Sequence, residues 1–110
     1  MASRVERIQS IIAKNISEII TFELKNPHIG FVTISEVKVS KDFSIAKVYV
    51  SFLTSKHPEK NLEELNKSKG YIRSSLAKKI DIRKTPDIVF VLDETYEKAA
   101  HLEEAIKRGL

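Results

Sequence analysis

Apolar residues recur along this chain with two different periods, and the changes of period divide it into elements. Val5, Ile8, Ile12, Ile16, Ile19 and Ile20 fall within about 120° of one another at the helical advance of 100° per residue. Arg7, Lys14, Glu18 and Lys25 point the other way, which predicts an amphipathic helix of about six turns. Ser3 and Glu6 offer a capping box at its start. Asn26-Pro27 ends it, because the residue before a proline is pushed out of helical geometry. Gly30 then opens a strand in which Val32 and Ile34 alternate, followed by Val37 and Val39, with the phase slipping by one at Ser35-Glu36. An uncorrected slip turns buried side chains to solvent, so a β-bulge is predicted there. Ser40-Lys41-Asp42 supplies a turn. The second strand puts Ala46, Val48, Val50 and Phe52 on one face, and Ile45, Lys47, Tyr49 and Ser51 on the other. Two strands joined this closely pair as an antiparallel hairpin. Lys47 beside Tyr49 could meet RNA, but a solvated sheet face is the simpler reading.

The helical period returns after the loop Thr54 to His57, with Pro58 suited to a first helical position. Leu62 and Leu65 keep a three-residue spacing, and Ile72, Leu76 and Ile80 a four-residue spacing. Between them lies Asn66-Lys67-Ser68-Lys69-Gly70-Tyr71-Ile72-Arg73. A glycine inside a helix costs about 1 kcal/mol relative to alanine, and Gly/Ser pairs are among the few causes of sharp bends. The stretch therefore predicts helix, kink, helix. Pro86 leads into a last strand, Ile88 to Leu92, apolar throughout and expected to be the most buried. Asp93-Glu94-Thr95 caps a weak C-terminal helix over 95–110, with Tyr96, Ala99, Ala100, Leu102 and Ile106 on its apolar side. The order α-β-β-α-kink-α-β-α predicts an α+β fold. A three-stranded sheet covered on one face by helices would satisfy every apolar stripe. A length of 110 residues fits one domain over 1–110.

Charge changes the picture by its placement. The net charge is +4. Residues 67–84 alone hold seven basic residues (Lys67, Lys69, Arg73, Lys78, Lys79, Arg83, Lys84) against Asp81, a local +6. Residues 1–66 carry +1 and residues 85–110 carry −3. A basic block of this kind points towards a polyanion, usually nucleic acid. Arg73 and Lys79 flank the apolar stripe on opposite sides, so the cations do not form one ridge.

Catalytic chemistry finds no support. The chain has no cysteine, which excludes disulfides, thiolate nucleophiles and cysteine metal clusters. His28, His57 and His101 stand far apart and form no metal-binding spacing, so no metal or cofactor is expected. Three glycines build no phosphate-cradling loop, and no nucleophile elbow is present. Glu63-Glu64 and Glu103-Glu104 read as solvated helix faces. No apolar run approaches the roughly 18 residues of a membrane span, and the N-terminus lacks a signal-peptide core. A cytoplasmic protein without membrane contact is expected. Gly70 has two readings at this point. It either lets a nucleic-acid backbone approach a helix start, where free N–H groups suit a phosphate, or lets two helices cross tightly.

Several of these stretches carry a resemblance. They are Asn26-Pro27-His28-Ile29-Gly30, Val32 to Asp42, Ala46 to Ser51, Asn66 to Arg73, Leu76-Ala77, Arg83, Pro86, Phe90 and Asp93. In this order and spacing the chain resembles the bacterial ribosome-binding factor A family over essentially its whole length. The resemblance implies a KH-like fold of the second type, in which an Ala-x-Gly kink replaces the Gly-x-x-Gly loop of RNA-clamping KH domains. Here the kink reads Ser68-Lys69-Gly70, and two further departures fall at Thr95 and Ala99. It also implies a non-enzymatic assembly factor, associated with growth in the cold. Such a factor binds the small (30S) ribosomal subunit and its rRNA, assists maturation of the 5′ region of 16S rRNA, and leaves before translation. On that reading Lys67, Lys69, Gly70, Arg73, Lys78, Lys79, Arg83 and Lys84 contact RNA, with Arg73 and Arg83 as the forks for phosphate. No small-molecule substrate is expected, and the protein would act as a monomer. The alternative is a protein-interaction module that docks on a ribosomal protein or another factor without touching RNA.

Overall fold

The computed structural model describes residues 3–81 and 84–94. Helix α1 runs from Arg4 to Phe22. The Ser3 hydroxyl accepts from the Glu6 N–H at 3.1 Å, so the predicted cap forms. Ile12, Ile16, Ile19 and Ile20 are its buried stripe, whereas Val5, in the first turn, is 39% exposed. The helix stops four residues before Asn26. The Glu23 and Leu24 N–H groups both donate to the Ile19 carbonyl, at 2.9 and 3.1 Å, which closes the last turn. Asn26 instead organises the next turn, accepting from the His28 N–H at 2.9 Å. Asn61 pins this turn by donating to the His28 and Ile29 carbonyls at 2.9 and 3.1 Å. Gly30 leaves it at φ +68°, a left-handed conformation that suits glycine.

Strands β1 (Thr33–Val39), β2 (Ile45–Ser51) and β3 (Asp87–Leu92) form one sheet in the order β1-β2-β3. The pair β1–β2 is antiparallel and β2–β3 parallel. The predicted bulge is present. Ile34 faces Val50 and Glu36 faces Tyr49, leaving Ser35 as the extra residue. Its hydroxyl donates to the Asp93 carboxylate at 2.6 Å, reaching past β2 to the end of β3. In the β1–β2 turn Asp42 Oδ1 accepts from the Ser40 hydroxyl (2.9 Å), the Ser44 hydroxyl (2.7 Å) and the Ser44 N–H (3.1 Å). These bonds, the Ser44 hydroxyl first, hold its carboxyl down at about 2.

Val37, Ala46, Val48, Val50, Ile88 and Phe90 face the helices and are buried with Ile12, Ile16, Ile19, Leu65, Ile72 and Leu76. Strand β3 is not the most buried strand, contrary to its uninterrupted apolar run. Among the described residues it is an edge, helices cover one face only, and Val89 on the other face is 40% exposed. The central strand is β2, where Ala46, Val48 and Val50 are fully buried. Both sheet edges receive an amide side chain from a helix. Gln9 Oε1 accepts from the Val39 N–H at 3.0 Å. Asn66 Oδ1 accepts from the Phe90 N–H at 3.4 Å.

The parallel β2–β3 pair needs a long crossover. Helices α2 (Pro58–Lys67) and α3 (Lys69–Lys79) supply it, with Pro58 in the first turn as predicted. The break falls on Ser68 (φ −93°, ψ 1°), so Gly70 lies inside the first turn of α3 rather than at the hinge. This α+β arrangement is the KH-like topology of the second type. The C-terminal helix expected over 95–110 lies outside the described residues.

Candidate nucleic-acid interface

Helix α3 carries most of the basic block, and its two flanks meet different neighbours. Ile72, Ser75 and Leu76 are its buried side. On the β3 side, Arg73 Nε stands 3.2 Å from Asp87 Oδ1, and Arg73 Nη2 donates to the Thr85 carbonyl at 3.1 Å. Of the two forks expected to hold phosphate, Arg73 is thus engaged within the chain. On the α1 side, Lys79 Nζ stands 3.0 Å from Glu23 Oε2. The same carboxylate accepts from the Tyr71 hydroxyl at 3.0 Å and the Ser75 hydroxyl at 2.7 Å. Tyr71, Ser75 and Lys79 are four residues apart, so three successive turns of one helix face converge on a single carboxylate. Their donation, Ser75 first and then Lys79, keeps the Glu23 carboxyl below its ordinary range. Sequence reasoning missed this cluster. The four-residue spacing is visible in the chain, but its acceptor lies 48 positions away from Tyr71.

Lys67, at the end of α2, pairs with Glu64 at 3.1 Å. Asn26 also donates to Glu64, at 3.2 Å, and these bonds lower the Glu64 carboxyl, that of Lys67 most. Lys69, Lys78 and Lys84 are exposed and have no ion pair among the described residues. Arg83 lies outside the described residues. The six described cations of the block therefore fall into two sets, three tied to carboxylates and three without an ion pair among the described residues, distributed from the kink to the segment after α3.

Between the flanks lies a face of small, exposed residues: Gly70, Ser74 and Ala77, with Lys78 beside them. A Cβ added at Gly70 would meet nothing within 4 Å. No neighbour among the described residues needs the missing side chain, so tight crossing of the described helices does not account for the glycine. The space before it is open to a partner. Helix α3 also starts without a side-chain cap, leaving its first turn accessible. Among the described residues, no group of three or more His, Asp or Glu could hold a metal ion. No helix among them is long and apolar enough to cross a membrane.

Known proteins resemble this chain in sequence and in fold. The family model for ribosome-binding factor A matches residues 4–106. A ribosome-binding factor A of Macrococcus caseolyticus is 46% identical over 107 residues, covering 96% of this chain and 94% of that one. The solution structure of a Thermotoga maritima protein, TM0855, described as a ribosome binding factor A, superposes with a TM-score of 0.70 at 34% identity, over 83% of this chain and 88% of that one. A homology model of the Thermus thermophilus ribosome binding factor A, as fitted into the cryo-EM map of a complex of that factor with 30S, gives a TM-score of 0.58 at 24% identity, over 84% of this chain and 93% of that one. Matched in sequence over nearly its whole length, this chain belongs to the ribosome-binding factor A family.

Proposed function

We propose that this protein binds the small (30S) ribosomal subunit through its RNA, assists maturation of the 5′ region of 16S rRNA, and leaves before translation. Like its family it is not an enzyme. It acts by binding one RNA conformation better than another, which shifts the population towards the maturing one. Family membership supports subunit binding. The observation that carries the RNA contact is the bare outer face of α3, where Gly70 faces open space between free lysines. A phosphate approaching there meets no side chain at Gly70 and finds Lys69 and Lys78 within the same helix. A cytoplasmic location, one domain acting as a monomer, and a role in the cold belong to the same proposal and rest on family membership.

The test is salt dependence. Reversing both free lysines of α3, Lys69→Glu with Lys78→Glu, weakens binding to immature small subunits. It also flattens the slope of log K against log[salt] by about 1.5, at roughly 0.7 to 0.9 for each phosphate that is no longer neutralised. A slope equal to the wild type's rules this face out.

A protein-docking reading has one observation in its favour. Phe22 and Phe31, on either side of the Asn26 turn, are 76% and 83% exposed. Binding that persists on RNase-treated particles, and is lost with Phe22→Ser and Phe31→Ser, decides for it.

A further inference from the structure

At the end of α3 away from the kink, a cavity of about 770 Å³ opens between the first turns of α1, the β1–β2 turn and the residues after α3. Its volume is that of sites that take an organic ring system. The apolar lining is Ile8 and Ile11 from α1, Phe43 from the turn, and Ile80. Two of these residues are unusually placed. Ile11 is 48% exposed. Phe43 sits at φ +59°, in the left-handed region that bulky side chains avoid. The Asp42 bonds to Ser40 and Ser44 hold the turn in that shape, and so hold an aromatic ring at the cavity wall.

The charged lining is of mixed sign but leans to cations. Arg4, Arg7 and Lys84 have no ion pair among the described residues, whereas Asp42 Oδ1 is already occupied by its own turn. Asp81 is the other carboxylate. Along α1 the apolar floor runs only from Ile8 to Ile11, about 4.5 Å at 1.5 Å per residue. That is too short for an amphipathic helix, which needs anchors across two turns. It matches a flat ring with an anionic tail.

We propose that this cavity receives an unpaired nucleobase of the bound RNA, its ring against Phe43 and Ile11 and its phosphates on Arg4, Arg7 and Lys84. The inference rests on the RNA-binding function above and extends it. Helix α3 spans about 16 Å, so the strand is gripped at both ends of that helix, by phosphate contacts at the kink and by base insertion at the far end. The carboxylate of Asp81 can accept from an exocyclic amine of the base.

The experiment uses the full chain and a fluorescein-labelled single-stranded hexa-adenylate RNA, followed by anisotropy. Ile11→Glu puts a charge in the floor at an already exposed position and weakens binding about tenfold, the effect of losing one stacked base. Phe43→Gly removes the ring while favouring the left-handed turn, and weakens binding to a similar extent with the fold retained. Wild-type affinity in both variants overturns the proposal. If they bind normally while Lys69→Glu/Lys78→Glu is impaired, the cavity falls and the outer face of α3 stands. If the wild type binds immature subunits only through protein, both fall. With p-benzoylphenylalanine at position 43, photocrosslinking to rRNA in immature small subunits is expected. Crosslinking to a ribosomal protein instead overturns the nucleobase assignment.

Discussion

Arg73 and Lys79 differ from Lys69 and Lys78 in employment, not in kind. All four are basic residues of the same eleven-residue helix. Arg73 joins α3 to β3 through Asp87 and Thr85, and Lys79 joins it to α1 through Glu23. Lys69 and Lys78 join it to nothing among the described residues. A helix that must be both a wall of the core and a surface for a polyanion divides its cations between the two tasks. Counting positive charge along the sequence therefore overstates what is available to a ligand.

The comparison breaks first at Arg73. Arg73→Glu sets two acids against each other across α3 and β3 and removes the donor to Thr85. It should cost about 1 to 2 kcal/mol, a fall in Tm of several degrees. A Tm equal to the wild type's would return Arg73 to the free set. Gly70→Ala comes next and has the opposite sign. With open space around the new methyl, the gain in helix propensity should raise stability by about 0.5 to 1 kcal/mol, while binding to immature subunits weakens. A loss of stability would show that a neighbour does need the glycine.

Acid titration probes the Glu23 cluster. Its carboxyl is depressed in the folded state, so its contribution is present above the ordinary value of 4.5 and is lost as pH falls through the folded one. Thermal melts of the wild type should therefore fall as the pH drops below about 4.5, more steeply than those of Glu23→Gln. Asp42 adds a second loss between 3.8 and about 2, which Asp42→Asn removes. Parallel curves for wild type and Glu23→Gln would mean that Lys79 is free as well. The smallest effect belongs to Lys69→Glu with Lys78→Glu, whose stability should stay within about 0.5 kcal/mol of wild type, so that any weakening of binding reports the two reversed charges and not a loss of fold.

The parts of the fold legible in the sequence are those set by local periodicity. The isoleucine stripe of α1, the bulge at Ser35 and the alternation of β2 all follow from side chains one helical turn or two strand positions apart. Burial of β3 is misread from sequence because an apolar run reports what a strand tolerates. It does not say whether a second layer exists, and here none of the described elements covers Val89. The end of α1 is misplaced because Asn26-Pro27 marks where a helix must have stopped, while the bonds to Ile19 decide where it does. At the interface, the basic block is legible, but its division is not. Lys67 pairs with Glu64 three residues before it, but the tying of Arg73 and Lys79 depends on Asp87 and Glu23, which only the fold brings to α3.

The bond from Ser35 to Asp93 bears on how the chain is made. It spans 58 positions and ties the first strand to the residue after the last, while the Asn66 bond to Phe90 spans 24. Neither can form until β3 has left the exit tunnel, so α1 and the β1–β2 hairpin wait with one flank uncovered for most of synthesis. A nascent chain stalled short of residue 87 should therefore remain open to protease, and acquire resistance in one step once Asp93 emerges.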